Sequence, residues 1–151
     1  MLLPENRVVM VSGANRGIGL AVARCLHDRG FRLSLGARDT AKIESELGSL
    51  DPSRTIAVAF DVRNGASCEA WVERTSAHFG RIDGLVNNAG ISLNVGIEDD
   101  DEEAYDAMWD VNVKGPLRLI RLAMPYLRKS GCGRVVNLSS LSGKRVKNAN
   151  A

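Results

Sequence analysis

The segment with the clearest chemical potential is SGANRGIG, residues Ser12 to Gly19, which follows a short apolar run. Its glycines at positions 13, 17 and 19 let the chain turn sharply and let the backbone approach a ligand closely. A helix predicted to begin near Gly17 directs its first backbone N–H groups at the turn, and such groups bind phosphate. Tight turns also use glycine for steric reasons alone. By itself this segment therefore gives a hypothesis, a site for the pyrophosphate of a dinucleotide.

A regular alternation of strands and helices has to position this turn. Short β-rich apolar runs predict strands at 7–11, 32–35, 55–60, 82–87 and 134–138. Helical periodicity between them predicts helices over 18–29, 40–47, 66–79 and 116–129. This alternation predicts a doubly wound (Rossmann) α/β fold, a parallel sheet with helices on both faces. No repeat or linker interrupts the pattern, so residues 1–151 are predicted to form one nucleotide-binding domain.

Two of the predicted helices carry apolar faces that indicate how they pack. In the first, Ile18, Val22 and Cys25 share one face. The helix over 116–129 has two neighbouring apolar stripes, one at positions 117, 120, 124 and 127 and the other at 119, 122, 123 and 126. A helix that covers a sheet needs only one stripe. The second predicts a subunit interface in a homodimer or homotetramer, and burial under the rest of the chain is the alternative.

Composition and charge exclude several other classes of protein. The 151 residues are 44% hydrophobic and 25% charged with a net charge of +2, which favours neither nucleic acid nor a membrane surface as a partner. The first residues lack the pattern of a signal peptide, and no apolar run could span a bilayer. Three scattered cysteines favour the reducing cytoplasm. The two histidines lack partners at metal-ligand spacing, so no metal site is expected.

Four further motifs accompany the glycine turn in order along the chain. They are DV at Asp61-Val62, NNAG at Asn87–Gly90, VNVKG around Asn112 and NLSS at Asn137–Ser140. NNAG alone would fit a plain strand-end turn. Together with the Gly-x-x-x-Gly-x-Gly spacing, the set resembles the short-chain dehydrogenase/reductase family over the whole chain. Ser12 stands where the family usually has threonine, and Gly84 where a bulkier apolar residue is common.

The resemblance implies a role for each matching position. The pyrophosphate and its ribose would be lined by Gly13, Asn15, Arg16, Gly17, Ile18 and Gly19. The adenine would meet Asp61 and Val62. The adenosine ribose would lie beside Asn88, Ala89 and Gly90, which would also brace the central strand.

The choice between NAD and NADP depends on the end of the second predicted strand. Folds that use NAD place an acid there, on the ribose 2′-hydroxyl. Here the strand ends in Ala37 and Arg38, and Arg16 can approach the same ribose. Two guanidinium groups suit a 2′-phosphate, and this pair resembles that of NADP-preferring family members. We therefore predict NADP, with Asp39 as a helix N-cap; its contact with a 2′-hydroxyl is the competing interpretation.

The resemblance also implies a reaction, hydride transfer between NADP(H) and a carbonyl compound or secondary alcohol. Ser140 would hydrogen-bond the reacting oxygen, with Ser139 and Ser142 as weaker candidates, and Asn112 would hold a helix open around a water. The family's proton donor, a Tyr-x-x-x-Lys motif, is expected just after Ala151. We therefore expect the sequence to be part of a longer polypeptide and to be inactive by itself. The alternative is a catalytically inactive nucleotide-binding module.

Overall fold

The computed structural model describes residues 3–47, 51, 53–96 and 98–140. A parallel sheet holds β1 (Val8–Ser12), β2 (Arg32–Ala37), β3 (Thr55–Ala59), β4 (Gly84–Asn87) and β5 (Arg134–Asn137) in the order β3-β2-β1-β4-β5. The helices are α1 (Gly17–Asp28), α2 (Thr40–Leu47), α3 (Gly65–Phe79), α4 (Glu102–Trp109) and α5 (Gly115–Lys129). A π-helical turn, Asp110–Lys114, joins α4 to α5, and a 3-10 turn, Pro4–Asn6, precedes β1. The predicted doubly wound fold is confirmed.

The central strand β1 is buried along its whole length because helices cover both faces of the sheet. On one face, α3 and α5 pack around Met10, Trp71 and Leu119. On the other, α1 and α2 cover Val11, Leu35 and their neighbours. The chain runs outward from β1 through β2 to β3 and then returns to β4 on the opposite side. This reversal opens a crevice at the carboxyl ends of β1 and β4, the usual position of a ligand in such a fold.

Of the predicted apolar face of the first helix, only Val22 packs against the core. Ile18 is 64% exposed and Cys25 is exposed, whereas the buried residues of α1 are Gly19, Ala23 and His27. The start of the helix lies close to the sheet at Gly19, and larger side chains, Leu20 and Leu26, pack against the core further along. A Cβ on Gly19 would stand 2.3 Å from the carbonyl oxygen of Gly13. Close approach of the backbone therefore outweighs hydrophobicity at the start of α1.

Helix α5 buries one stripe that combines residues from both predicted stripes. Gly115, Leu119, Ala123 and Leu127 face the core. Leu122 is half-buried and packs against the same core, whereas Leu117 is 62% exposed.

No helix in the described ranges is long and apolar enough to cross a membrane. Among the same residues no cluster of metal-ligating side chains was found.

A buried carboxylate fastens the amino-terminal edge of the sheet, away from the crevice. Asp83 accepts hydrogen bonds from the Val8 backbone N–H at 2.8 Å, from the Ser130 hydroxyl at 2.6 Å and from two nitrogens of Arg81 at 2.6 and 2.8 Å. Burial opposes the charged form, but the hydrogen bonds from Arg81, Ser130 and Val8 outweigh it and hold the pKa of Asp83 below its ordinary value. This carboxylate therefore links β1, β4 and the end of α5.

We expect Asp83→Asn to lower the free energy of unfolding by about 1–3 kcal/mol at pH 7, because a neutral amide replaces the buried carboxylate that accepts from Val8, Ser130 and the partly exposed Arg81. A depressed carboxyl pKa contributes stability that is complete above the unfolded value, about 3.9, and is lost as the pH falls through the folded value. The deficit should therefore shrink below about pH 4. Urea unfolding at pH 7 and pH 3 measures the loss in free energy of unfolding, with Asp106→Asn as the exposed control. An equal deficit at both pH values would contradict the assignment.

Candidate functional site

The glycine turn between β1 and α1 has the geometry of an anion cradle. Gly13 and Gly17 have φ values of 65° and 54°, a region that favours glycine. The N–H groups of Gly13 and Ala14 donate to the carbonyl oxygen of Gly36 at 2.7 and 3.3 Å, which fixes the turn on β2. No side chain caps the first turn of α1. Its backbone N–H groups, at the positive end of a 12-residue helix, are therefore available to an anion.

Asn88 ties this turn to the end of β4. Its Nδ2 donates to the carbonyl oxygens of Ser12 and Gly13 at 2.9 and 3.1 Å. In return the hydroxyl oxygen of Ser12 accepts from the N–H groups of Asn88 and Ala89 at 2.9 and 3.0 Å. The serine is buried, and it was not among the predicted site residues. A hydroxyl as the last residue of a central strand was the signal for its role.

A cleft of about 680 Å³ opens above these two turns. All the predicted cofactor residues line it except Gly19, which lies beneath the turn, where a side chain would strike Gly13 and Asn88. The lining members of that set are Gly13, Asn15, Arg16, Gly17, Ile18, Arg38, Asp61, Val62, Asn88, Ala89 and Gly90. The size of the cleft, its glycine floor and the uncapped helix start fit an extended ligand that carries phosphate.

The lining of the cleft carries more cationic than acidic side chains. Arg16, Arg38, Lys42 and Arg63 line the cleft, against the two acids Asp39 and Asp61. Asp39 caps α2, because its Oδ1 accepts from the N–H of Lys42 at 3.3 Å, as the sequence predicted. Lys42 was missed. With an N-cap at Asp39, position 42 falls in the first turn of the helix, close to the strand end that carries Arg38.

The turn after β3 closes another side of the cleft. Asp61 accepts from the Arg63 N–H at 3.0 Å, and its own N–H donates to the Ser67 hydroxyl at 3.0 Å. Asn64 caps α3 by accepting from the Ser67 N–H at 3.0 Å. The buried Phe60, directly after β3, contacts Trp71 with ring centroids 4.4 Å apart. The two predicted adenine contacts, Asp61 and Val62, are therefore held in one rigid turn.

Asn112 lies in the π-helical turn between α4 and α5. Its Oδ1 accepts from the Ile91 N–H at 3.0 Å and its Nδ2 donates to the Ile91 carbonyl at 2.8 Å. The side chain therefore joins the widened helix to the loop that follows Gly90. This is the kind of position that the sequence predicted, although Asn112 does not line the cleft. The catalytic role stays a prediction.

Ser140 lies three residues beyond β5, at the same edge of the sheet as the cleft. The Leu138 N–H donates to the Asn87 carbonyl at 2.9 Å, and Asn87 Nδ2 donates to Asn137 Oδ1 at 2.8 Å. These bonds extend the pairing of β4 and β5 up to the two serines. Ser139 and Ser140 are exposed. The weaker candidate Ser142 lies outside the described residues.

Fold and site together define a doubly wound protein with a glycine turn and an uncapped helix start at the crevice between β1 and β4. Comparison with known proteins gives the family: the family model of short chain dehydrogenases matches residues 7–151. The chain therefore belongs to the short-chain dehydrogenase family. Membership implies the use of a nicotinamide dinucleotide and leaves open whether it is NAD or NADP.

Individual relatives agree with this assignment. An agropine synthesis reductase of Rhizobium rhizogenes is 43% identical over 145 residues, which are 95% of this chain and 34% of the reductase. An uncharacterized oxidoreductase of Staphylococcus saprophyticus is 34% identical, over 94% of this chain and 62% of its own length. The crystal structure of a short-chain dehydrogenase from Streptomyces avermitilis superposes with a TM-score of 0.86 at 33% identity, covering 92% of this chain and 51% of that one. The chain thus spans about a third to two thirds of these proteins.

Proposed function

We propose that this chain is part of an NADP(H)-dependent oxidoreductase that transfers hydride between the nicotinamide and a carbonyl compound or secondary alcohol. The observation that carries the proposal is the cleft itself, which is lined by the glycine turn and by arginine and lysine side chains. The cradle suits the pyrophosphate. The cationic side chains suit a further phosphate. NADP carries such a group, the 2′-phosphate, and NAD lacks it.

The charges around the expected 2′ position favour NADP. Arg16 and Arg38 are exposed and line the cleft together with Lys42. Arginine can bind a phosphate through two parallel hydrogen bonds, and lysine adds a point charge. The acid that could have bound a 2′-hydroxyl, Asp39, is engaged as the N-cap of α2. A 2′-phosphate would therefore meet several cations and a carboxylate that is already hydrogen-bonded.

Replacing Arg38 with aspartate tests this proposal. We expect the Kd for NADPH to rise about 10- to 100-fold and the Kd for NADH to change little, because a charged hydrogen bond to the 2′-phosphate is lost. Fluorescence titration of the full-length protein measures both constants. Arg74→Asp makes the same charge change on the exposed side of α3 and should affect neither. An equal loss for both nucleotides would sink the NADP assignment.

The catalytic part of the proposal relies on Ser140 and Asn112. A bound nicotinamide dinucleotide supplies or accepts the hydride. The Ser140 hydroxyl donates a hydrogen bond to the reacting oxygen, which becomes an alkoxide during reduction. Asn112, hydrogen-bonded to both the N–H and the carbonyl of Ile91, keeps the π-helical turn open beside the site. The proton donor would be a Tyr-x-x-x-Lys segment of the full-length protein. An inactive nucleotide-binding module is the alternative.

We further propose a homodimer or homotetramer in which α4 and α5 contribute to the interface. Trp109 and Leu117, on either side of the π-helical turn, are 56% and 62% exposed, and Tyr105 on α4 is 37% exposed. Exposed aromatic and aliphatic side chains grouped on neighbouring turns are typical of interfaces.

We also propose a cytoplasmic location. The cysteines at positions 25, 68 and 132 are free thiols, which suits a reducing compartment.

Leu117→Glu should shift the full-length protein towards monomer, because it places a charge in the apolar part of the proposed interface. Leu122 is unsuitable for this test because it packs against the core of its own subunit. Sedimentation velocity measures the mass, and Leu3→Glu, at a similarly exposed leucine outside the helices, is the control. An unchanged mass for a folded Leu117→Glu variant would remove this surface from the interface.

A further inference from the structure

The turn after β3 is held from the side of α5 by an arginine. Nη1 of Arg118 donates to the carbonyl oxygen of Val62 at 2.8 Å. One helical turn earlier, Gly115 lies directly against the Val62 side chain, since a Cβ there would stand 2.2 Å from Val62 Cγ2. Val62 is buried and is at the same time a lining residue of the cleft. Helix α5 therefore supports the wall of the cleft from behind.

The other supports of this carbonyl are weak. The thiol of Cys68 lies 3.6 Å from the Val62 oxygen and 3.8 Å from the Asp61 oxygen. Burial raises the pKa of this thiol, and the Arg118 guanidinium beside it opposes the shift. The thiol is thus a neutral, weak donor. A guanidinium makes a charge-assisted hydrogen bond about twice as strong as a neutral one, so Arg118 is the principal donor to Val62.

Arg118 and Asn112 lie on one continuous helical segment. Asn112 binds both backbone groups of Ile91 in the loop after β4, and Arg118 binds Val62 in the turn after β3. Both Ile91 and Val62 line the cleft. Because α4, the π-helical turn and α5 follow one another without a break, one rigid element fixes two separate walls of the cleft relative to each other.

We propose that Arg118 is a positioning residue for the adenosine half of the dinucleotide. It contacts no part of the ligand. It acts through the Val62 carbonyl, which sets the place of Asp61 and Val62 in the adenine wall. Without the guanidinium, the turn after β3 spends a smaller fraction of time in the position that binds adenosine. The apparent affinity for the nucleotide falls in proportion to that fraction. The inference rests on the proposed function, because it presumes that a nicotinamide dinucleotide occupies the cleft.

The test uses three variants of the full-length protein. Arg118→Met keeps most of the side-chain length without the charge, Arg118→Lys retains one charged donor, and Arg121→Met is the exposed control on the same helix. Calorimetric titration with adenosine 2′,5′-bisphosphate and with 5′-AMP should give a Kd about tenfold higher for Arg118→Met. Arg118→Lys should recover part of the loss, and Arg121→Met should match the wild type. In turnover, the KM for NADPH should rise while kcat at saturating NADPH stays unchanged.

Several results would overturn the inference. A folded Arg118→Met variant with wild-type Kd values and only a lower melting temperature would reduce Arg118 to a structural role. A fall in kcat at saturating nucleotide would also contradict an effect confined to the adenosine half. If Arg118→Met does not fold, the Kd of Arg118→Lys for the bisphosphate decides the question. A value equal to that of the wild type would contradict the inference. If Arg118→Met lost affinity for the bisphosphate but not for 5′-AMP, Arg118 would contact the 2′-phosphate directly. A wild-type protein that binds neither NADPH nor NADH would instead refute the proposed function, and the inference with it.

Discussion

Replacing Ser140 with alanine in the full-length protein should lower kcat by about 10²–10³, the usual effect of removing one hydrogen-bond donor to a developing oxyanion. The serine follows β5 at the edge of the sheet where the cleft opens, and the β4–β5 pairing extends to Leu138 just before it. In the proposed reaction a hydroxyl there would stabilise the alkoxide more than the ground-state carbonyl. The effect should therefore appear in kcat and leave the Kd for NADPH unchanged.

Ser139→Ala is the matched control, because it removes the same atom one residue earlier and should leave kcat within about threefold of the wild type. Steady-state kinetics with a carbonyl substrate and NADPH provide the comparison. If Ser139→Ala carried the large loss and Ser140→Ala did not, the register of the catalytic serine would be wrong. If neither variant lost activity, a serine at this position would have no part in the reaction.

Gly19→Val should raise the Kd for both NADPH and NADH by about 100-fold, because overpacking at this point costs up to about 3 kcal/mol. Even a single Cβ would stand 2.3 Å from the Gly13 carbonyl and 2.4 Å from Asn88 Nδ2. The backbone oxygen cannot rotate away, so α1 or the glycine turn has to shift. Both movements displace the first-turn N–H groups from the pyrophosphate position.

Ala21→Val places the same side chain at an exposed position of α1 and should change nucleotide affinity little. Circular dichroism establishes whether the Gly19→Val variant is folded before its affinity is measured. A folded Gly19→Val protein with wild-type affinity for NADPH would mean that the phosphate site lies elsewhere in the cleft.

The strands and the glycine turn could be predicted from sequence because their signals are local. β1 reads as an unbroken apolar run, and the αL conformations of Gly13 and Gly17 need glycine whatever the tertiary context. Strand ends differ by one or two residues: β3 ends at Ala59 rather than position 60, and β4 begins at Gly84 rather than position 82. Such shifts depend on the hydrogen bonds of neighbouring strands, which a single segment does not contain.

Features that depend on two distant segments were missed. The helical periodicity missed the exposure of Ile18, which is in phase with Val22 but lies over the cleft, where the family resemblance had placed it, because the backbone of α1 has to approach Gly13 and Asn88 at position 19. Lys42 becomes a lining residue only when α2 starts at Asp39 beside β2. Arg118 looks like a solvated helix charge until the turn after β3 is placed against α5. For Ile18 and Arg118 the decisive neighbours, Asn88 and Val62, are remote in sequence, whereas Lys42 could have been found from the N-cap at Asp39.

The most direct test of the central claim follows a deuterium label. The full-length protein is incubated with NADPH deuterated at the transferable position of C4 and with a panel of ketones and aldehydes, and mass spectrometry examines the alcohols formed. The account predicts deuterium on the carbinol carbon, with the oxygen taking a proton, and faster transfer from NADPH than from equally labelled NADH. A protein that binds NADPH but transfers no deuterium to any of these carbonyl compounds would contradict the account and leave a nucleotide-binding module.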